Sequence, residues 1–254
     1  MHCIRIGMAA LLAAIVLAAC TQANSAAEAN PAEGALPKLG MVTSLPILWF
    51  EGDDFSAILS GDEEPHWART AIEAEYKIVP LDVIEPRDLA ALDVLVLAQP
   101  RMLAPQENVA LDDWVRDGGR VLIFADPMLT GHSQYGSGDR RRPQDVVLLD
   151  AILARWGLEL SPSIPQLEVA SVPLGEGRLP YLAEGRLSRR PPAGGGEAVC
   201  DLQFGGLLAQ CAIGAGRAVL VADATLLEDT HGIEPGAREA FDALLGMVGE
   251  PTGK

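Results

Sequence analysis

The sequence predicts an α/β fold: a mostly parallel sheet with helices on both faces and a small β-rich insertion. Three observations predict it. Leu92 to Pro127, LDVLVLAQPRMLAPQENVALDDWVRDGGRVLIFADP, reads as a complete strand, helix, strand unit. Two further Val- and Leu-rich runs have the continuous apolar character of strands buried on both faces. Between these runs lie segments whose apolar residues recur at helical spacing. Alternation of strands and helices along a chain is the pattern of a parallel doubly wound sheet.

The elements follow in order. Leu39 to Phe50, with the apolar run Leu45 to Phe50, is expected to be the first strand. An acidic loop, Glu51 to Glu64, leads to a helix over Pro65 to Glu75, with Trp67, Ala68, Ala71 and Ile72 on one face. Tyr76 to Leu81 is the next strand and Glu85 to Ala91 a short helical connector. In the Leu92–Pro127 unit, Asp93 to Ala98 is a buried strand that Gln99 and Pro100 end. Pro105 suits the first turn of the following helix, and Gly118-Gly119 supplies its positive-φ stop. Arg120 to Ala125 is the second strand, parallel to the first through a right-handed crossover.

After Asp126-Pro127 the polar loop GHSQYGSGDRRRPQD is expected to be mobile and to serve as a lid, before a helix from Val146 to Trp156 that stops at Gly157. Residues 161–213 read as the β-rich insertion, from their short alternating fragments, prolines and the triple glycine at 194–196. Gly216 to Ala224 returns to the buried-strand pattern. Pro235 to Val248 is the closing helix, with Ala240, Phe241, Leu244, Leu245 and Val248 inward. The domain therefore spans 39–249, and 250–254 is a tail.

The first nineteen residues carry Arg5 and then an apolar run, Ile6 to Ala19, of signal-peptide length. The run ends in Leu17-Ala18-Ala19-Cys20, which matches the lipobox of bacterial lipoproteins, so Cys20 is expected to be lipidated. The protein is then anchored to a membrane of the cell envelope, facing the periplasm or exterior. Residues 20–38 are rich in Ala, Asn, Glu and Pro and suit a disordered tether. The chain has 19 basic and 35 acidic side chains, a net charge of −16; removal of Arg5 with the signal makes it −17. A surface of that sign disfavours nucleic acid as a partner.

Cys200 and Cys211 lie symmetrically about Gly205-Gly206, so a two-residue hairpin turn there sets them opposite each other on paired strands. A disulfide is expected from that placement and from export, the alternative being two buried free thiols. With that turn the pair falls at a hydrogen-bonded site, where side chains sit farther apart. His66, His132 and His231 each lie in a loop after a predicted strand, the edge where open α/β sheets bind ligands. Gln99, Arg101, Asp126, Asp223 and Asp229 share that edge. Together they form the candidate ligand edge, yet no pair has close metal-ligand spacing, so no metal and no cofactor is expected. The chain also lacks a Gly-x-Ser-x-Gly elbow, a Gly-x-Gly-x-x-Gly turn and a P-loop lysine, which argues against serine hydrolase and nucleotide chemistry. Asp126 and Asp223 also have a purely structural role open to them, to end their strands and cap the backbone that follows.

Three segments together resemble one family: DVLVLAQP through LDDWVRDGGRVLIFADP, DVVLLDAILARWGLEL at 145–160, and IGAGRAVLVADATLLED at 213–229. They are similar to the extracytoplasmic auxiliary components of ABC transporters of the GldG type, whose domain looks like a class I glutamine amidotransferase without its catalytic residues. The resemblance implies a flavodoxin- or amidotransferase-like sheet, no enzymatic activity, and permease or ATPase subunits as partners. Amidotransferases set a cysteine nucleophile on the turn after a central strand; here Gln99-Pro100 stands there. Many members are anchored by a spanning helix, whereas in this chain the lipobox takes that place. Two other functions stay open from the residues: a metal-dependent hydrolase using the His and Asp loops, and a solute-binding module.

Overall fold

The structure, a computed structural model, describes residues 36–49, 64–163, 168–182, 185–194, 197–228 and 234–249. Seven strands form the central sheet, in the order β2-β1-β3-β4-β11-β10-β9. They are β1 (Lys38–Thr43), β2 (Lys77–Pro80), β3 (Val94–Ala98), β4 (Arg120–Phe124), β9 (Ala198–Gln203), β10 (Leu208–Ile213) and β11 (Gly216–Val221). The first five in that order are parallel, and β10 and β9 extend the sheet as an antiparallel hairpin. The parallel part has the flavodoxin-like order, in which chain direction switches between β1 and β3. The fold is therefore α/β of the flavodoxin or amidotransferase kind.

Alternate residues of the buried strands feed two separate cores, as strand geometry dictates. Val94, Val96, Leu122, Phe124, Val219 and Val221 face α1 (Trp67–Glu75) and α5 (Ala237–Gly249). There Phe241 meets Trp67 edge-on at 5.5 Å and stacks beside Phe124 at 6.3 Å. Leu95, Leu97, Val121, Ile123 and Leu220 face α3 (Pro105–Arg116) and α4 (Asp150–Arg155). Each fully buried Leu, Ile or Phe contributes about 1.5–3 kcal/mol. The helical connector is α2 (Pro86–Leu89). Gly118, at φ +116, ends α3 in a conformation that a side chain would strain. A Cβ at Gly216, where β11 starts, would come within 1.9 Å of the Val115 carbonyl, so this close strand and helix approach requires glycine.

Several elements differ from the sequence expectation. β1 ends at Thr43, and Leu45 to Trp49 form turns and bends. Thr43 Oγ1 accepts the Leu45 N–H at 2.9 Å and donates to the Leu45 carbonyl at 3.2 Å, which reverses the chain. Leu45 and Ile47 are buried all the same. The helix expected from Val146 begins only at Asp150, because Val146 to Leu149 runs in alternation, with Val147 and Leu149 buried and Val146 and Leu148 exposed. The insertion expected over 161–213 divides. β5 (Leu158–Ser161) pairs with β8 (Arg186–Arg189), β6 (Ala170–Leu174) pairs with β7 (Gly177–Tyr181), and β9 and β10 belong to the central sheet.

Cys200 and Cys211 are directly opposed on β9 and β10 and joined by a disulfide. The turn is still centred on Gly205-Gly206, which keeps the register, but four residues, Phe204 to Leu207, lie between the closing pair Gln203 and Leu208. The cysteine Cα atoms are 4.0 Å apart, as suits a non-hydrogen-bonded pair at about 4.5 Å and not the wider kind expected from a two-residue turn. Among the described residues no helix is long and apolar enough to cross a membrane.

Candidate functional site

Gln99, directly after β3, adopts φ +47, an uncommon conformation for a residue with a side chain. It is fully buried. Its amide reaches across the strand ends: Nε2 donates to the carbonyls of Asp126 at 3.0 Å and Gln144 at 2.8 Å, and Oε1 accepts the Asp126 N–H at 2.9 Å. Its own carbonyl accepts from Ser44 Oγ at 2.5 Å, and Ser44 Oγ accepts the Gln144 N–H at 3.0 Å. Gln99, by its side chain and its own carbonyl together, thus ties the ends of β1, β3 and β4 to the loop after β4. Amide, hydroxyl and backbone groups are all engaged, which leaves no activated nucleophile at this turn.

Arg101 makes a bidentate pair with Glu107 on α3, Nη1 to Oε2 at 2.8 Å and Nη2 to Oε1 at 2.7 Å. The same carboxylate accepts the N–H groups of Ile84 at 2.9 Å and Ala104 at 2.7 Å, so it caps α3 and holds the loop after β2. The Arg101 hydrogen bond, helped by those two N–H groups, pulls the Glu107 carboxyl down to about 2 despite its burial.

At the ends of β4 and β11 lie Asp126, Asp223 and Glu228, all buried. Asp126 Oδ1 accepts the Met128 N–H at 2.7 Å, and Asp223 accepts the N–H groups of Leu182 at 3.2 Å and Thr225 at 2.7 Å. Removal from water, then the nearby Asp223, raises the Asp126 carboxyl well above the usual carboxylate range. The same two causes, in the same order, push Glu228 up to about 7. The Gly131 N–H faces Glu228 and opposes the rise, but neither carboxyl oxygen has a partner at hydrogen-bond geometry.

The remaining edge residues separate. His66 is the N-cap of α1: Nδ1 accepts the Ala68 N–H at 3.1 Å, which leaves Nε2 as the donor to the Leu227 carbonyl at 3.2 Å. His132 is exposed on the loop after β4. Cys20, Asp229 and His231 lie outside the described residues. Among the described residues no group of three or more His, Cys, Asp or Glu side chains is placed to hold a metal ion.

The loop expected to be a mobile lid is tied down by its own bonds. Arg141 pairs with Asp139 and lies 4.1 Å over the buried Tyr135 ring, while Arg142 pairs with Asp145 and donates to the Tyr135 carbonyl. It walls a cleft of about 190 Å³ beside the ends of β1 and β3, whose lining includes Ser44, Trp49, Arg101, Gln144 and Arg140 to Arg142. Ser44, Gln144 and the arginine run were not in the candidate set read from sequence, nor were Glu107 and Glu228. The three adjacent arginines are the one signal in the sequence that points to this cleft.

A family model described as an ABC-type uncharacterized transport system matches residues 36–175, which is 140 of the 254 residues. The chain belongs to this family of ABC transport auxiliary components. Two of the three segments that resemble GldG-type proteins fall inside the match, and the third, 213–229, lies beyond it. No curated protein matches the auxiliary chain. Among solved structures it is similar to the cytoplasmic protein STM1381 from Salmonella typhimurium LT2, at 11% identity and TM-score 0.47 over 84% of this chain and 100% of that one. It is also similar to a ThuA-like protein from Bacteroides uniformis ATCC 8492, at 8% identity and TM-score 0.43 over 87% and 96%. A third likeness is to the β-galactosidase from Bacillus circulans sp. alkalophilus, at 11% identity and TM-score 0.46 over 84% and 30%. The auxiliary chain spans about a third of the length of such glycosidases. At these TM-scores nothing about activity passes from any of them to this chain.

Proposed function

We propose that this protein is a non-enzymatic, lipid-anchored accessory of an ABC-type transporter, acting at the cell envelope and using the carboxyl edge of its sheet as a binding face. Family membership supports the transport role. The observation that carries the non-enzymatic part is Gln99, a buried hydrogen-bonded amide on the turn where an amidotransferase sets its cysteine. The lipobox at Leu17 to Cys20 supports the anchor, and acylation at about 0.8 kcal/mol per buried methylene is enough to hold a domain in which no helix among the described residues is long and apolar enough to cross a membrane.

The raised carboxyls of Asp126 and Glu228 are the observation that favours a hydrolase instead, since perturbed acids concentrate at active sites. They are buried, and the oxygens of Asp126 and Asp223 are occupied by backbone N–H groups, which suits a structural cluster better. The test is crosslinking of the full chain in its native membrane, followed by identification of what it captures. Permease or ATPase subunits are expected, and Cys20→Ala should release the protein from the membrane. Capture without any transporter subunit overturns the accessory role, and a Cys20→Ala protein that stays bound overturns the anchor.

A further inference from the structure

We infer that residues 130–134, which pass over the buried carboxyl cluster at the ends of β4 and β11, form a flap whose opening is governed by the charge of Glu228. This holds whatever the carboxyl edge binds.

Glu228 lies directly under that segment. A Cβ at Gly131 would come within 3.1 Å of its carboxyl group, so bare backbone is what covers the acid at this point. Glu228 is only 7% exposed, and neither of its oxygens has a hydrogen-bond partner. The groups that face it are acids: Asp223 from the end of β11, with Asp126 from the end of β4 in the same cluster. Among the described residues no basic side chain pairs with it. From α1, His66 reaches the preceding turn, where Nε2 meets the Leu227 carbonyl while Nδ1 accepts the Ala68 N–H, which an imidazolium could not do. His132, beside Gly131 in the chain, is exposed.

The segment is fixed at both ends and thinly packed between them. Met128 and Leu129 donate to Asp126 Oδ1 at 2.7 Å and to the Asp145 carbonyl at 2.9 Å. At the other end Tyr135 is buried under Arg141, and its carbonyl accepts from Arg142. None of residues 130–134 is buried, and stretches of that kind open locally at little cost. Burial and the charge of Asp223 hold the Glu228 proton up to about 7, and the Gly131 N–H offsets only part of that rise. Parting the flap admits water, and a hydrated carboxyl returns toward its ordinary value near 4. The closed form thus binds the proton more tightly, so opening is favoured as pH rises between the two values, by up to about tenfold per pH unit. Above about 7 both forms are ionised and the effect levels off. The open form is a local fluctuation, and the closed structure remains the ground state.

The experiment is amide hydrogen exchange of the full chain between about pH 5 and about pH 8, with each rate corrected for its intrinsic pH dependence. Protection over residues 130–134 should fall by up to about tenfold per pH unit until about pH 7 and then level off, while staying well below that of β4 and β11. Glu228→Gln, neutral and of the same shape, should flatten the profile to within about twofold across the interval. Because the carboxyl has no hydrogen-bond partner to lose, Glu228→Met should do the same and serves as the second variant if the amide disturbs folding. An imidazole titrates in the same interval, so His132→Gln is the control and should keep the wild-type slope. A flat wild-type profile, an equal slope in wild type and the Glu228 variants, or a slope abolished by His132→Gln overturns the flap. So does a pH dependence confined to the amides of β4 and β11, which would report global unfolding alone.

Discussion

Gln99 and Asp126 hold each other by a closed pair of hydrogen bonds, amide nitrogen to carbonyl at 3.0 Å and backbone N–H to amide oxygen at 2.9 Å. The pair mimics one rung of a sheet beyond the point where β3 and β4 stop pairing. It also explains how a buried glutamine keeps φ +47: the side chain is fixed at both ends, and the surroundings over-determine the strained backbone. Gln99→Ala takes the partner from the Asp126 N–H and the Gln144 carbonyl, and one of two donors from the Asp126 carbonyl, which keeps the Val147 N–H at 3.2 Å. It should lower unfolding free energy by about 2–4 kcal/mol in urea titration. Gln99→Asn, which tolerates positive φ but is one methylene too short to span the gap, should lose most of the same stability. If asparagine proves equivalent to glutamine, backbone conformation and not the bridge is what matters at this turn.

Glu107 is the second fixed point of this edge. Its carboxylate, 4% exposed, serves Arg101, Ile84 and Ala104 at once, so Glu107→Ala strands two backbone donors and a guanidinium. Because Arg101 is 39% exposed and can turn to solvent, the expected loss is about 2–3 kcal/mol, short of a fully buried pair. Its depressed carboxyl implies stability present above the ordinary value near 4 and lost as pH falls toward about 2. The variant should therefore show a smaller drop in melting temperature than wild type between about pH 5 and about pH 3. An equal drop in both proteins would contradict this role.

The Cys200–Cys211 bridge closes a short loop, with a sequence separation of 11, inside a hairpin that β11 already supports on one side. Loop-closure entropy for that length gives about 3 kcal/mol. The double variant Cys200→Ala, Cys211→Ala should accordingly unfold at lower urea, by about 2–3 kcal/mol, and reductant should weaken wild type while leaving the variant unaffected. Identical midpoints for wild type and variant without reductant would show that the bridge adds nothing to the hairpin.

The sheet was legible because its strands are local and extreme in composition: Val94 to Ala98, Arg120 to Phe124 and Gly216 to Val221 need no distant partner to read as strands. The symmetric spacing of Cys200 and Cys211 about two glycines likewise fixed their register, although not the length of the turn. The sites were less legible because their chemistry depends on distant meetings. Glu228 is one of many acids until it is buried beside Asp223 and over Gly131. Ser44 and Gln144, 100 residues apart, become neighbours only when β1 and β4 share a sheet. The arginines at 140–142 read as a solvated loop, since periodicity carries no information about which crevice a loop borders. Gln99 was singled out for what it replaces, and its bonds to Asp126 and Gln144 are visible only in three dimensions.

The carboxyl cluster gives this protein a distinctive acid-side stability. Asp126 and Glu228 hold their protons more tightly folded than unfolded, Glu228 up to about 7 against an ordinary carboxyl value near 4. The folded state therefore binds more protons than the unfolded state across that interval, and stability falls as pH rises through it. The contribution is complete below about 4 and gone once pH has passed the folded values, opposite in sense to that of Glu107. Melting temperature should decline between about pH 5 and about pH 8. Glu228→Gln keeps the shape and removes one of the two titrating groups, so its profile over that interval should be flatter. Above the folded value it should exceed wild type by on the order of 2 kcal/mol, because wild type must then bury a charge beside Asp223 with no hydrogen bond to either oxygen. Parallel profiles for the two proteins would mean that Glu228 titrates at its ordinary value and that water reaches its carboxyl in solution.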